Sequence, residues 1–332
     1  MATLYITEQG ATLRKVHNRL LVERDETTLA EIHDFKVERV ILFGNVQIST
    51  AAVSFLLERG IDTVFLNYNG KLKGRLAPLA SKNIHLRAKQ FERVADPSFV
   101  LTVAQAFVTG KMANCGAVLA RQQRNHTAIN LATELSQLKT LRQRTTAITS
   151  LESLRGLEGQ AAALYFPAFG RLLRQPLNFQ HRNRRPPLDP VNALLSLGYT
   201  LLYQEAISAL AASGFEPYLG FLHALHYGRC SLALDLMEEF RPLVADRLAL
   251  NLVNLEILKA GDFSHSAETG VRLSDKARKR FFQEYERLVT AEFAHRHTGE
   301  RVTLRRAWHE QAGVLRRTIV HGTPYQPFNG WH

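Results

Sequence analysis

Short apolar runs separated by turn-forming or charged residues fill the first 80 positions of the chain. Four of them, TLYITEQ, ATLRKV, NRLLVER and VERVILFG, have the length and bounding residues typical of β-strands. The segment STAAVSFLLERG has helical spacing instead and ends at Gly60, as a helix with a glycine C-terminal cap does. IDTVFLNYNGKLKGRL predicts two more strands joined at Asn69-Gly70, a dipeptide that favours a tight hairpin turn. We therefore predict a small β-rich domain containing one helix.

From about residue 84 the apolar positions follow the helical period of about 3.6, and Ala, Leu, Gln and Arg dominate. The clearest helix start is Asp189-Pro190, an N-cap acid before a first-turn proline, and this helix ends at Gly214. The predicted helices cover residues 84–95, 97–122, 145–173, 190–213, 231–258 and 273–294. The predicted fold class is α+β, with a β-rich N-terminal domain over residues 1–82 and a larger all-α domain over residues 83–332.

Composition and charge narrow the class of protein. The 332 residues are 45% hydrophobic and 22% charged, which is a globular composition. The formal net charge of +12 indicates a polyanionic partner, either nucleic acid or an anionic membrane surface. We expect no signal peptide, no transmembrane helix and a cytoplasmic location, because the chain has neither a leader pattern nor a long apolar run. With only Cys115 and Cys230, a four-cysteine zinc site and a disulfide framework are excluded.

The positive charge is concentrated in the middle of the chain, where residues 86–200 contain 15 Lys and Arg and 6 Asp and Glu, a net of +9. The densest group has no acidic residue between its members and consists of Arg171, Arg174, Arg182, Arg184 and Arg185. The planar fork of arginine suits phosphate better than the point charge of lysine does. We therefore interpret the group as a nucleic-acid contact rather than a merely solvated basic face.

Three short segments contain candidate catalytic residues. In LRGLEGQAA, Glu158 lies between two glycines that weaken a helix, which indicates the close approach of another backbone or a ligand, although a plain surface glutamate is the alternative. GFLH supplies His223, ahead of a glycine-containing loop. SLALDLMEEFRP places Asp235, Glu238 and Glu239 within one helical turn. Such carboxylates repel one another unless a cation neutralises them, or unless they form a polar face balanced by arginines.

Carboxylates and one imidazole together make a hard, oxygen-rich ligand set. That set suits Mg²⁺ or Mn²⁺, with the nitrogen favouring manganese, and in a basic protein it indicates phosphodiester chemistry. The chain has no HExxH zinc-peptidase pattern, no glycine-rich nucleotide loop and no GxSxG nucleophile elbow. Zinc peptidases, nucleotide-cofactor enzymes and serine hydrolases of these kinds are thereby excluded.

The order and separation of these segments resemble the CRISPR-associated adaptation (spacer-acquisition) endonuclease/integrase family, which inserts new spacers into CRISPR arrays. The similarity runs nearly the full length. It includes the opening TLYITEQGATLRKVHNRLLVE, then LRGLEGQAAALYF, then NRRPPLDPVNALLSLGYTLLYQE, then GFLHALHYGRCSLALDLMEEFRPLVADR, and finally the ending Tyr325-Gln326-Pro327-Phe328. The resemblance implies an N-terminal β-domain and a helical catalytic domain, as the period analysis also predicts.

The resemblance also implies a divalent metal held by Glu158, His223 and Glu238, with Asp235 as a supporting residue or the second choice for the third ligand. The reaction it implies is a metal-dependent transesterification, in which the 3′-hydroxyl of a DNA fragment attacks a phosphodiester at the edge of a CRISPR repeat. Arg184 and Arg185 are expected to hold DNA near the reacting phosphate. The resemblance implies that the chain binds double-stranded DNA, forms a homodimer and assembles with a small ferredoxin-like subunit. It implies no membrane partner. We expect the dimer contacts on the weakly charged β-rich domain.

Three rival hypotheses remain open from the sequence. The first is a metal-dependent nuclease that cuts branched or foreign DNA without integrating it. The second invokes a tyrosine nucleophile, with Tyr199, Tyr203 or Tyr325 attacking the phosphate, and predicts a covalent adduct and resistance to chelators. The third is a non-catalytic helical DNA-binding scaffold, whose acids only balance its arginines.

Overall fold

The structure, a computed structural model, describes residues 2–68, 70–77, 83–125, 128–183, 186–266, 268–294 and 299–329. Asn69 of the predicted hairpin and the arginine pair Arg184 and Arg185 lie outside the described residues. The chain forms two compact units, residues 1–80 and 81–332. The first unit is rich in strands and the second is largely helical, so the predicted α+β class is confirmed.

The first unit consists of two four-stranded sheets and one helix. Its elements in chain order are β1 (Ala2–Ile6), β2 (Thr12–Val16), β3 (Arg19–Arg24), β4 (Thr27–His33), β5 (Val37–Phe43), β6 (Gln47–Ile48), α1 (Thr50–Glu58), β7 (Asp62–Leu66) and β8 (Leu72–Leu76). One sheet has the strand order β1-β5-β7-β8 and the other β4-β3-β2-β6. Strands β4 and β6 were not predicted. The alternating side chains of the strands and α1 share one core that includes Leu13, Leu20, Val40 and Leu56.

The second unit is built mainly from helices. Its elements are α2 (Ile84–Val94), α3 (Pro97–Arg124), α4 (Ala132–Arg144), α5 (Leu151–Arg171), α6 (Pro190–Ser213), α7 (Ser231–Met237), α8 (Arg247–Asn254), β9 (Phe263–Ser266), β10 (Gly270–Leu273), α9 (Asp275–Thr290), β11 (Glu292–Ala294), β12 (Arg301–Thr303) and α10 (Leu304–His321). Helix α6 is buried on nearly all sides and contacts α7, α8 and α10, so it forms the centre of this unit. None of the described helices is long and apolar enough to cross a membrane.

The predicted ends of α6 are confirmed. The Asp189 carboxylate accepts a hydrogen bond of 2.8 Å from the backbone N–H of Asn192, and Pro190 occupies the first turn. Gly214 ends the helix with a φ of 88°, a left-handed conformation that side chains with a Cβ rarely adopt.

The single helix predicted over 231–258 is wrong, because the segment is divided between α7, a turn, a π-helical turn (Pro242–Asp246) and α8. Pro242 has no N–H to donate, and its ring would clash with the carbonyl group of Glu238 in a regular helix. The segment 145–173 is also divided, since α5 begins only at Leu151, after the N-cap Ser150. Helices α4 and α10 and the two short hairpins β9–β10 and β11–β12 were not predicted.

Candidate active site

Helix α5 presents Glu158 at the edge of the helical unit, where its side chain is 28% exposed. Gly156 and Gly159 flank it, and a Cβ built at either glycine would meet no atom within 4 Å. The expected close approach of another backbone is therefore absent at these two glycines, and an open surface lies beside Glu158 instead.

The loop between α6 and α7 holds His223 through one buried carboxylate. Asp235, fully buried on α7, accepts backbone N–H bonds from Phe221 (2.6 Å), Leu222 (3.0 Å) and His223 (2.9 Å). It also accepts a bond of 2.7 Å from Nδ1 of His223. A carboxylate can only accept, so Nδ1 of His223 donates in this bond, and Nε2 is the ring nitrogen that remains for a metal.

This loop has no room for a side chain at Gly220, where a Cβ would lie 2.7 Å from Oδ2 of Asp235. Helix α5 is tied to the same loop, because the Arg155 guanidinium donates to the backbone oxygen of Leu222 at 2.9 and 2.6 Å. The loop bearing His223 and the helix bearing Glu158 are thus fixed to each other by hydrogen bonds.

Glu238 follows the last residue of α7, at the position where Pro242 interrupts the helix. Its carboxylate lies 3.0 Å from Nη2 of Arg241 and 4.0 Å from Nε2 of His223. Burial raises the pKa of Glu238, but the positive charges of Arg241 and Lys111 outweigh it and lower the pKa to about 2. The side chain is therefore an anion at neutral pH although it is only 5% exposed.

Lys111 of α3 joins the two glutamates. Its ammonium lies 2.6 Å from Oε2 of Glu238 and forms an ion pair with Oε1 of Glu158. Burial lowers the pKa of this lysine, yet the two carboxylates raise it above its usual value. Both glutamates consequently converge on one positive charge.

Glu239, the third carboxylate of the same turn, points to a different partner. It accepts hydrogen bonds from the Tyr325 hydroxyl (2.5 Å) and the backbone N–H of Phe328. Burial raises its pKa to about 8. Asn114 donates to the backbone oxygens of Glu239 and Phe328, both at 2.8 Å. Glu239 thereby fastens the C-terminal segment (residues 323–329) against α3, and the geometry favours Glu238 as the partner of Glu158.

The donor set fits a hard divalent cation, because Glu158 and Glu238 supply anionic oxygens and His223 a neutral nitrogen. Their two carboxylates already face a common cationic centre, the Lys111 ammonium. Over the described ranges, no three His, Cys, Asp or Glu side chains stand close enough together to ligate one metal as they are placed. The arrangement is that of a carboxylate pair closed around a lysine.

The described arginines of the predicted DNA-binding group mainly contact the protein itself. Arg171 forms an ion pair of 2.5 Å with Glu134, an acid that sequence spacing did not connect with it. The backbone N–H of Arg174 donates to Asn254 at 2.9 Å. Arg182 donates to Asn192 at 2.7 Å and is partly buried. These contacts orient the side chains of Arg171 and Arg182 and fix the backbone at Arg174.

The candidate tyrosine nucleophiles are held in structural contacts. The hydroxyl of Tyr199 donates to buried Asp246 at 2.6 Å, and burial raises the pKa of this phenol well above its usual value. The Tyr325 hydroxyl is buried against Glu239, and its pKa is raised for the same reason. Tyr203 accepts a bond of 3.0 Å from the backbone N–H of Cys230. A raised pKa disfavours the phenolate that a nucleophile requires.

The Asp246 network behind the site predicts a pH effect on stability. Burial raises the pKa of Asp246 to about 6, although the hydroxyls of Tyr199 and Tyr165 donate to it. Because the folded-state pKa exceeds the unfolded value, the wild type loses stability as the pH rises from about 4 to 7. The loss from this group is on the order of 3 kcal/mol. Asp246→Asn removes this contribution. The free energy of unfolding, measured with denaturant at pH 4.5 and 7, should therefore fall less between the two pH values in the variant than in the wild type. An identical pH dependence in both proteins would contradict this assignment.

Lys111 is the site residue that the sequence analysis missed, because no motif surrounds it. A signal was present, since Lys111 lies among the buried helix positions Phe107, Val108 and Cys115 of α3. A lysine on the apolar stripe of a helix needs a buried partner. Arg241, one of the arginines that could balance the acidic face of this segment, pairs with Glu238 at 3.0 Å.

Comparisons with known proteins agree with the fold. The family model for CRISPR associated protein Cas1 matches residues 4–287. A "CRISPR-associated endonuclease Cas1 3" from Thermus thermophilus is 37% identical, with 99% of this chain and 97% of that protein covered. A "CRISPR-associated exonuclease Cas4/endonuclease Cas1 fusion" from Geobacter sulfurreducens is 38% identical over 98% of this chain, which spans 59% of that longer protein.

Two solved structures share the fold. A CAS1 protein from Thermotoga maritima is 26% identical with a TM-score of 0.81, and both chains are covered completely. A chain of a "Cas6-RT-Cas1--Cas2 complex" is 27% identical with a TM-score of 0.83, covering 100% of this chain and 36% of that one.

The fold and the relatives together define a metal-dependent nuclease of CRISPR systems. The chain belongs to the Cas1 family of CRISPR-associated endonucleases, whose role is spacer integration. The resemblance seen in the sequence is confirmed.

Proposed function

We propose that this chain joins the 3′-hydroxyl of a DNA fragment to a phosphodiester at the edge of a CRISPR repeat, with Glu158, His223 and Glu238 holding the required Mg²⁺ or Mn²⁺. The observation that carries the proposal is the convergence of Glu158 and Glu238 on one cationic centre, Lys111, with Nε2 of His223 4.0 Å from Glu238. These side chains come from three separate segments of the chain, which meet at this one point of the helical unit.

Each protein group has a defined task in this proposal. A bound divalent ion supplies Lewis-acid polarisation of the phosphoryl oxygen and lowers the pKa of the attacking hydroxyl. Glu158 and Glu238 supply the anionic oxygens that hold it. Asp235 fixes the His223 ring with Nε2 available as a ligand, and so acts as the supporting residue rather than as a ligand itself. Arg241 orients Glu238, and its guanidinium stacks on the Tyr199 ring at 4.8 Å.

The proposed partners are double-stranded DNA, a second copy of the chain and a small ferredoxin-like subunit. The net charge of +12 supports a DNA partner, and Arg171, Arg174, Arg182, Arg184 and Arg185 are the proposed phosphate contacts. The similar chain of the Cas6-RT-Cas1--Cas2 complex belongs to an assembly with Cas2, which supports a second protein subunit. We place the dimer contacts on residues 1–80, so a dimer that survives their deletion would contradict this placement.

The deciding experiment is a strand-joining assay with a repeat-containing plasmid, a labelled DNA fragment with free 3′ ends, the partner subunit and Mn²⁺ or Mg²⁺. We expect labelled fragment covalently joined at the repeat edge, and no product with a chelator. Cut plasmid without joined label would favour the nuclease hypothesis. A protein–DNA adduct formed in the presence of chelator would favour the tyrosine hypothesis, and binding without either product would favour the scaffold.

The open surface beside Glu158 gives a second test of the site. The Cβ that Gly159→Ala adds meets no atom within 4 Å. The variant should therefore raise the free energy of unfolding by about 1 kcal/mol, because alanine has a higher helix propensity than glycine. If DNA passes over this surface, the added methyl group lowers DNA affinity and joining at the same time. Affinity measured by fluorescence anisotropy, together with thermal unfolding, reports both effects.

Gly116→Ala in α3 is the matched control, because a Cβ there also meets no atom within 4 Å. It should stabilise the protein by a similar amount without weakening DNA binding. Equal DNA affinities for the wild type and both variants would place the DNA away from Gly159.

A further inference from the structure

We infer that Lys111 is a built-in placeholder for the catalytic cation: its ammonium closes the Glu158–Glu238 pair in the metal-free protein, and a divalent ion binds by displacing it. This inference rests on the proposed metal site and adds a residue to it. Its starting point is the position of Nζ of Lys111, in ion pairs with one oxygen of each glutamate. The same two glutamates are the proposed carboxylate ligands of the dication.

Charge balance explains why the metal-free site needs this lysine. Glu238 is 5% exposed and forms ion pairs with Lys111 and Arg241, and Glu158 forms an ion pair with the same lysine. Two carboxylates that face each other in a buried place repel, and a buried charge without a partner is strongly destabilising. Lys111 and Arg241 contribute two positive charges that balance the two negative charges of Glu158 and Glu238 without an ion.

Of these two cations, Lys111 is the one suited to leave. Arg241 binds the other oxygen of Glu238 at 3.0 Å, and its guanidinium lies over the Tyr199 ring at 4.8 Å. These contacts use the fixed planar geometry of arginine. Lysine is a point charge on a flexible four-carbon chain, and it can swing away without moving α3. The Lys111 side chain is 16% exposed, so its path to solvent is short.

The exchange has a consequence for the charge of the site. When a dication replaces the ammonium between the glutamates, Arg241 stays in place, and the released Lys111 no longer pairs with either glutamate. The binding of the ion makes the net charge of the site more positive. A more positive site attracts a phosphate, so metal loading and DNA capture favour each other.

The test measures Mn²⁺ binding to the full-length DNA-free protein by titration calorimetry. Lys111→Met keeps the length of the side chain and removes its charge, so Mn²⁺ should bind on the order of tenfold to a hundredfold more tightly than to the wild type, the scale of a released charge-assisted contact. The metal-free variant should melt several degrees below the wild type, because its glutamates lose their counter-charge. Mn²⁺ should restore the melting temperature. A merely structural lysine would lower the melting temperature without raising metal affinity.

Lys89→Met is the matched control, since Lys89 pairs with Glu92 at 2.5 Å on the surface of α2. It should change neither the affinity nor the melting temperature. Because Lys111→Met can fail to fold, the wild type is also crystallised with and without Mn²⁺. The expected metal-bound structure has the anomalous peak between Glu158 and Glu238, with Nζ of Lys111 beyond hydrogen-bonding distance of both.

The outcomes separate this inference from the proposed function. Mn²⁺ binding to the wild type, with equal or weaker binding to Lys111→Met, overturns the placeholder role and leaves the metal site standing. An anomalous peak at the glutamates with Lys111 still paired to both has the same meaning. Absence of Mn²⁺ binding in both proteins overturns the metal site and the exchange together.

Discussion

Replacing Glu158 or Glu238 by glutamine should lower the rate of DNA joining on the order of a thousandfold, because each variant loses an anionic oxygen that holds the cation, and metal-assisted charge stabilisation is worth several kcal/mol. His223→Ala should have a comparable effect. The measurement is single-turnover joining of labelled DNA into a repeat-containing plasmid. DNA affinity measured without metal should stay close to that of the wild type, since none of the three side chains is a proposed phosphate contact.

Glu152→Gln is the control for these variants, because Glu152 is an exposed residue in the first turn of the same helix, α5. Its joining rate should be within a factor of two or so of the wild type, as expected for a surface change. Joining that persists at the wild-type rate in Glu158→Gln would remove α5 from the site. A loss in the control of the same size as in the variants would show that the assay reports folding rather than chemistry.

Replacing Asp235 by alanine should have the second-largest effect, and it should act on stability and activity together. The variant leaves three backbone N–H groups and the His223 ring without their acceptor. We expect a loss on the order of 3–5 kcal/mol in the free energy of unfolding, which is a fall of roughly 10 °C in melting temperature for a unit of this size. Joining should be lost as well, since His223 no longer has a fixed ring orientation. Thermal unfolding and the joining assay measure the two effects.

Asp235→Asn separates the orientation of the His223 ring from the filling of the buried space at position 235. It keeps the shape of the side chain but places an NH₂ group where a carboxylate oxygen accepted a hydrogen bond. It should unfold at a temperature between those of the wild type and the alanine variant, and it should still join DNA poorly. Glu256→Ala, which removes an exposed ion pair with Lys259, should change the melting temperature by less than about 2 °C. A fully active Asp235→Ala protein would mean that His223 needs no support.

Local patterns predicted those parts of the fold whose determinants are close together in sequence. Six of the eight described strands of the first unit follow from short apolar runs with turn-forming or charged residues at their ends, and the two ends of α6 follow from an acidic N-cap and a glycine. Helix α4 has one buried residue, Leu138, so its apolar stripe is too weak to detect. Helix α10 was missed although its buried positions follow a helical period, including Leu304, Trp308 and Leu315. The prediction missed the break at Pro242, because apolar residues on both sides of it continue the helical pattern.

The candidate site could be located from the sequence, but the contacts of its members could not be derived from spacing. Asp235, Glu238 and Glu239 share one helical turn, and each bonds to a different part of the protein: the His223 loop, Lys111 with Arg241, and the C-terminal segment. Such assignments depend on which distant segment packs against which oxygen. Lys111 lies 47 positions before Glu158, so no local pattern connects the two.

Glu239 binds a C-terminal segment that is synthesised much later than Glu239 itself. Tyr325 follows Glu239 by 86 positions, and Phe240, next to Glu239, stacks on Phe328 with ring centres 4.8 Å apart. During synthesis the turn that carries Glu238 therefore emerges long before the residues that secure its neighbour. A nascent chain that already contains Glu158, His223 and Glu238 therefore has all its proposed ligands before the segment that Glu239 binds has been made.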